Sequence, residues 1–423
     1  MHSTLIGVAS RWSALILGCA LLLAAPSTAA AAPTFSKDVA PILFTSCVEC
    51  HRAGSIAPMS LMTFDDARPW ARSIKQKVVD RIMPPWGADP HIGKFANDPS
   101  LSAAQIKTIV DWVDGGALEG SRADLPKPPT FTEGWSIGTP DLVFTMTEPF
   151  KVPADGTVPY TYVTIPTNLK EDIWIRAVEL KPSDRRVVHH IISDLLEDDG
   201  KAAPAPALRP DRTRKEIGGL GGYVPGRQGS VFAEGVARRI PAGADIQLQM
   251  HYTTIGQAVS DQTQIGVVLA KAPPSTLRRA GGGQMPNASF AIPPGHPNYE
   301  VVAKQVLQRD VLLTSMYPHM HVRGKDATYK VIYPDGREEV LLSVPKYDFN
   351  WQLTYELAEP KLLPKGSTLM VVAHYDNSPA NRFNPDPAAT VKWGEQTWEE
   401  MLIGYFSTVE PPAAAPAPSA AAR

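Results

Sequence analysis

After residue 128 the chain shows no long helical period. It runs instead through short β-branched or alternating stretches: "DLVFTM", "YVTIPT", "IWIRAVEL", "RVVHHIIS", "DIQLQMHYTT" and "QIGVVLA", then "YEVVAKQVLQRDVLLTSMYPHMHVRG", "ATYKVIYPDG", "EVLLSVPKY" and "TLMVVAHYDN". Gly, Pro, Asp and Asn punctuate them, the residues that end strands and make turns. The 41 prolines and 31 glycines among 423 residues favour short strands over long helices. A strand layer with one apolar face must bury it against a second layer. Two all-β, jelly-roll-like sandwiches are therefore expected, over 133–273 and 285–411. The stretch "KAPPSTLRRAGGG" reads as their connector, with a linker over 274–284. The tail 412–423 is low-complexity Pro/Ala and is expected to be disordered.

The N-terminal part follows another pattern. Residues 1–31 read as an export signal: Arg11, the apolar run "ALILGCALLLAA" and the small-residue zone "STAAAA". The run is too short for a membrane span. "ILGC" at Cys19 weakly resembles a lipoprotein box, but the apolar run continues past it. A soluble exported chain, periplasmic or secreted, is expected, without stable membrane insertion. Removing the signal leaves only Cys47 and Cys50, both in one motif, so no cysteine remains for a structural disulfide. A net charge of −2 gives no basic excess for nucleic acid.

"SCVECH" holds Cys47-x-x-Cys50-His51, the spacing of a covalent c-type haem, with two thiols for the vinyl groups and an imidazole for the iron. The competing reading is a bare redox CxxC. Met59, Met62 and Met83 can supply the sixth iron ligand. Met83 is favoured because Pro84 and Pro85 follow it and hold the loop "RIMPPW" extended. "LSAAQIKTIVDWVDGGA" suits an amphipathic helix through Ile106, Ile109, Val110, Trp112 and Val113. This order resembles class I cytochromes c over residues 33–122, a small all-α domain, with a Pro-rich linker at 123–132.

Ten histidines are present. Five fall in three strand contexts: the adjacent His189 and His190, then His251 in "LQMHY", then His319 and His321 in "YPHMH". An i, i+2 pair projects to one side of a strand, so His319 and His321 can reach one metal; the competing reading is a solvated strand face. Adjacent histidines on a regular strand point apart, so His189 and His190 share a metal only if the backbone bulges. The five permit one site of three histidines and another of two plus a further ligand. Imidazole and thioether donors suit copper, the thioether especially Cu(I). Met320, Met370 and Met401 are the available thioethers, with Met320 on the face opposite its neighbours. His374 lies in a turn-rich stretch and is expected to be structural.

The order "VVHH", "LQMHY", "HMH", "EEM" resembles the type II copper, ascorbate-dependent monooxygenases, which include peptidylglycine α-hydroxylating monooxygenase and dopamine β-monooxygenase, over residues 133–410. The resemblance implies two coppers per chain. His189, His190 and His251 would hold an electron-relay copper, and His319, His321 and Met401 the copper that meets dioxygen. Gln249 falls where the family has a glutamine between the sites. The chain also departs from the family. Its two β domains contain no cysteine. Tyr317 and Ile403 stand where the peptide-amidating enzymes have an arginine and an asparagine, although Tyr405 is kept, which argues against a glycine-extended peptide substrate. The expectation is an exported monooxygenase hydroxylating a C–H bond of a small organic substrate with dioxygen. Its reductant would be ascorbate or a redox protein, relayed through one covalent haem c. The alternatives are a non-enzymatic haem and copper electron carrier, and a zinc hydrolase built on the three-histidine set with water.

Overall fold

The stretch "DIQLQMHY" shows how the β region folds. Ile246, Leu248, Met250 and Tyr252 alternate with Asp245, Gln247, Gln249 and His251, and the first set enters an apolar core while the second faces away from it. A computed structural model of the chain describes residues 32–412 except 56, 132–133, 202–203 and 225–228. The expected signal, with Cys19, and all but the first residue of the Pro/Ala tail lie outside the described residues. No helix among the described residues is long and apolar enough to cross a membrane.

The protein is mostly β-sheet, with few helices. The first sandwich has eight main strands: β1 (Leu142–Thr145), β2 (Thr161–Pro166), β3 (Ile173–Lys181), β4 (Val188–Leu196), β5 (Glu216–Tyr223), β6 (Val236–Ile240), β7 (Asp245–Tyr252) and β8 (Gln264–Leu269). The second has β9 (Arg278–Pro286), β10 (Tyr299–Val306), β11 (Val311–His319), β12 (Gly324–Ile332), β13 (Glu338–Val344), β14 (Tyr355–Leu363), β15 (Thr368–Tyr375) and β16 (Ile403–Val409). One layer of each sandwich is a separate four-stranded sheet, β2-β7-β4-β5 in the first and β10-β15-β12-β13 in the second. The other two layers are a single continuous sheet in the order β1-β8-β3-β6-β9-β16-β11-β14.

This continuity corrects the expected linker at 274–284. Residues 278–286 are a strand, pairing parallel with β6 through Arg278↔Val236 and antiparallel with β16 from Ala280↔Val409 to Pro286↔Ile403. Gly281, Gly282 and Gly283 carry no side chains to show the alternation of a strand, so the stretch looks like a connector in the sequence. The glycines are there for close approach: a Cβ on Gly282 would lie 2.5 Å from the Phe406 carbonyl oxygen.

The helical module contains α1 (Ala40–Ser46), α2 (Phe64–Ala67), α3 (Ala71–Val79) and α4 (Ala103–Asp114). Ser102 and Gln105 close α4 with a reciprocal capping box, and Trp112 and Ile109 are fully buried in the module's core. Two segments fall outside the expected division. Leu125 and Phe131, within the expected 123–132 linker, pack on the helical core. The stretch 86–97 leaves the helices and packs on the second sandwich. Trp86 and Phe95 ring Tyr355 at 4.8 and 5.7 Å, and the Asp89 and Ala96 amides donate to Ser343 and Glu356 carbonyls at 2.8 Å each.

The shared sheet can be tested at the glycines. Gly282→Val should destabilise the protein by about 1–3 kcal/mol through overpacking against Phe406. Gly281→Ala should be near neutral, because its added Cβ meets nothing closer than 3.5 Å. Urea unfolding of the two variants checks this; equal effects would deny the close approach at Gly282.

Candidate metal centre

The adjacent histidines meet because the strand bulges. β4 pairs with β7 as Val188↔Tyr252 and then His190↔His251, a register shift that leaves His189 as the extra residue. Such a bulge turns an additional side chain toward the face its neighbour occupies. His189 Nδ1 lies 3.2 Å from His190 Nδ1, and His251 Nδ1 lies 3.3 Å from it. All three residues offer nitrogens within 4.8 Å of one another. Three Nδ1 atoms turned toward one another are poor hydrogen-bond partners but a good ligand set for one cation.

The second set comes from the end of β11. Met316 and Met320 enter the core of the second sandwich, while His319 and His321 do not. Both histidines are fully buried. His319 Nδ1 donates to Gln352 Oε1 at 2.5 Å, and His321 Nδ1 to the Glu399 carbonyl at 3.2 Å. Those acceptors place the proton on Nδ1 and leave each Nε2 with a bare lone pair, the arrangement that orients a metal-binding imidazole. Neither Nε2 has a partner.

The segment that leads into Met401 is bonded to the His-x-His turn. The Glu400 carboxylate accepts from the backbone N–H of His321 at 2.9 Å and of Arg323 at 2.6 Å. Arg323 is itself buried and bonds Asn377 and the Trp398 carbonyl. Burial pushes the Glu400 carboxyl up to about 8, against the pull of the Arg323 and His321 amides. Together Glu399 and Glu400 tie the segment before β16 to the His-x-His turn, and Met401, 2% exposed, follows directly.

The two sets were expected on separate domains; they do arise from separate sandwiches, but they meet at one seam. The outward face of the β2-β7-β4-β5 sheet packs on the outward face of β11 and β16. His190 and His319 ring centroids are 6.4 Å apart. Tyr162 donates to Glu395 across the seam at 2.8 Å, and Gln284 donates to Glu216 at 3.0 Å. Burial pushes all five imidazoles down, His319 to about 4 and His321 to about 3, with His190 and His251 well below their usual range. They are neutral, the form that binds metals.

The polar groups left without partners concentrate here. Of nine such buried side-chain atoms among the described residues, six line the seam: His190 Nε2, His319 Nε2, His321 Nε2, Gln249 Oε1, Gln352 Nε2 and Tyr160 Oη. Each unmade bond costs about 1–3 kcal/mol. The Nε2 atoms of His319 and His321 alone would cost about 2–6 kcal/mol, against a typical protein's whole stability of about 5–15 kcal/mol. A bound cation removes that cost, so the residues fit metal.

Tyr160, Phe349, Gln352, Glu400 and Arg323 have no signature in the sequence; each gains its place from folding distant segments together. Gln249, expected between the sites, donates to Tyr162 and keeps an unpartnered oxygen in the seam. His374, expected to be structural, bonds Asp326 through Nδ1 at 2.7 Å.

At the first motif, Cys47 caps α1 and its carbonyl accepts from the amides of Cys50 and His51 at 3.2 and 3.0 Å. One helical turn thus holds all three residues. His51 Nδ1 bonds the Met59 carbonyl at 3.3 Å, leaving Nε2 as the ligand atom. Burial, with the neighbouring thiol adding to it, raises Cys47 to about 12; burial and Glu49 raise Cys50 to about 11. Redox-active CxxC pairs have a lowered thiol pKa, so these raised thiols do not favour a dithiol switch. Met59 and Met62 are packed into the helical core; Met83, half-buried, is not part of it, which keeps its thioether available.

No family model matches the chain, and no curated relative matches it. Among solved structures it resembles allantoicase from Saccharomyces cerevisiae (11% identity over 54% of this chain and 80% of that one, TM-score 0.17). It also resembles PNGF-II (10%, 63% and 65%, 0.28) and the major capsid protein P2 of bacteriophage PM2 (9%, 65% and 99%, 0.26). Likenesses this weak carry no functional information.

The Gln352 bond is the sharpest local test. Gln352→Ala should weaken metal binding about 10–100-fold, the usual effect of losing an outer partner of a ligating histidine, without unfolding the protein. Competition titration with a copper chelator reads this; unchanged affinity would show that Gln352 does not orient a ligand.

Proposed function

We propose that the chain is an exported copper-dependent monooxygenase that hydroxylates a C–H bond of a small organic substrate with dioxygen. Its helical module is read as cytochrome c-like, carrying one covalent haem that relays electrons. The observation that supports this most is the pair of unpartnered Nε2 atoms on His319 and His321, each with Nδ1 turned to an acceptor.

Two imidazoles and a thioether form a soft donor set for Cu(I), and three imidazoles form a second copper site. Bound copper supplies one-electron chemistry and the activation of dioxygen. The chain's residues do the rest. Gln352 and the Glu399 carbonyl fix the tautomers of His319 and His321. Glu400 fixes the turn that carries them. The seam excludes water from His319 and His321, which are fully buried.

In the helical module Cys47 and Cys50 would hold a haem covalently, and His51 and Met83 would bind its iron. Bound haem supplies a one-electron reservoir fed by ascorbate or a redox protein. Cys50 and Arg52 lie close enough to Tyr223 for their charges to act on its hydroxyl. Tyr223 is the register partner of Ile191, the residue after His190. This proximity supports electron delivery to the three-histidine set.

Met401→His keeps a neutral ligand but exchanges sulfur for nitrogen. Copper should remain bound and the fold intact, while turnover falls at least roughly tenfold, about 1.4 kcal/mol in barrier. Met320→Leu, in the core behind the site, should retain turnover. Oxygen uptake with product formation measures both. A copper-loaded protein that consumes no oxygen with any reductant or substrate screened would instead be an electron carrier.

A further inference from the structure

The loop between β4 and β5 doubles back over the outward face of the first sandwich. Ala207 and Tyr162 exchange backbone hydrogen bonds at 2.7 and 3.0 Å, so the loop runs briefly as an extra strand beside β2. Further on, Arg212 pairs with Glu395 of the second sandwich. Arg214, buried, donates to Asp245 at 2.7 Å and to the Glu197 carbonyl at 2.8 and 2.9 Å. The loop covers a cavity of about 360 Å³, within the range of about 300–1,000 Å³ usual for small-molecule sites. The floor of this cavity is polar. Thr164 and Gln247 are cross-strand partners on β2 and β7, only 4% and 7% exposed, and both line it. Neither the Thr164 hydroxyl nor the Gln247 amide has a bonding partner among the described residues, so the cavity is where both can find one.

We propose that this cavity binds a small hydroxylated acid of the sugar-acid class, with its hydroxyls on Thr164 and Gln247 and its carboxylate on Arg209. The floor selects hydroxyls. Thr164 and Gln247 each offer a donor and an acceptor, which is what a hydroxyl matches. An apolar ligand would leave both buried and unbonded, at a cost. The walls select a negative charge. Their two carboxylates are already occupied by the loop itself: Asp199 accepts from the Lys201 amide and Nζ at 3.1 Å each, and Asp211 from the Thr213 amide and hydroxyl at 2.9 and 2.6 Å. Of the three cations that line the cavity, Lys201 is paired with Asp199 and Arg214 with Asp245. Arg209 has no partner among the described residues, so it is the charge left for a ligand. The site does not depend on the metal reading, but it adjoins the seam. Tyr162 lines the cavity, and its hydroxyl donates to Glu395 at 2.8 Å and accepts from Gln249, whose own oxygen is unpartnered in the seam. A molecule bound here lies one side chain away from the seam.

Isothermal titration calorimetry of the full chain with gluconate tests this, with sorbitol, the same carbon chain without the charge, as the comparison. Gluconate should bind, and sorbitol at least roughly tenfold more weakly, the worth of one charge-assisted hydrogen bond. Arg209→Ala removes an exposed, unpaired side chain, so the melting temperature should not move, while gluconate affinity should fall to that of sorbitol. Gln247→Leu keeps the volume and removes the amide. It should abolish binding of both compounds without lowering the melting temperature, since the amide has no bond within the protein to lose. No binding of gluconate to the unaltered chain, or binding that both variants leave unchanged, would overturn the site. So would a Gln247→Leu protein that melts well below the unaltered chain, because the amide would then be serving the fold and not a ligand.

Discussion

The seam between the two sandwiches is the contact on which the rest of the molecule depends. Each sandwich has an ordinary apolar core, and each would be a complete domain if its remaining faces were polar and wet. They are not wet. The outward face of β4 and β7 carries His190, His251 and Gln247, all buried, and the outward side of β11 ends in His319, also buried. Burying this much polar surface is costly unless each group is bonded. Some are: Gln352 serves His319 and Tyr317 together, and Tyr162 serves Gln249 and Glu395. The imidazole nitrogens that remain without partners are where the packing leaves work for a ligand.

Much of this was legible in the sequence, for identifiable reasons. Period-two alternation marks strands directly, so "DIQLQMHY" and "TLMVVAHY" announce both their conformation and their buried face. The His-x-His pair needs only a strand to place both rings on one side. The adjacent pair is different: its convergence depends on a bulge at His189, and nothing in "RVVHHIIS" specifies one. β9 was hidden because three successive glycines have no pattern to read. The docking of Trp86 and Phe95 on Tyr355 joins positions about 260 residues apart, as the bonds from Asn97 to Thr354 and Glu356 also do. The proximity of the two histidine sets was beyond sequence reasoning for the same reason: it is set by how two sheets pack, and no local spacing encodes that.

The helical module is tied to the same framework. It keeps its own core around Trp112, yet lends residues 86–97 to the second sandwich and sets Cys50 and Arg52 near Tyr223 of the first. The 86–97 stretch ties the module to the second sandwich through Trp86, Phe95 and the Asp89 and Ala96 amides. Under the proposed reading, electrons would cross a fixed gap, so transfer would depend on packing and not on linker length.

The central claim is that this arrangement exists to hold copper. Metal analysis of the purified protein tests it most directly, by elemental quantification of copper, zinc and iron together with the haem spectrum. The account predicts two equivalents of copper and one of iron per chain, with the iron wholly accounted for as covalent haem. Stoichiometric zinc in place of copper, or protein that folds fully and binds neither metal at the histidines, would contradict it.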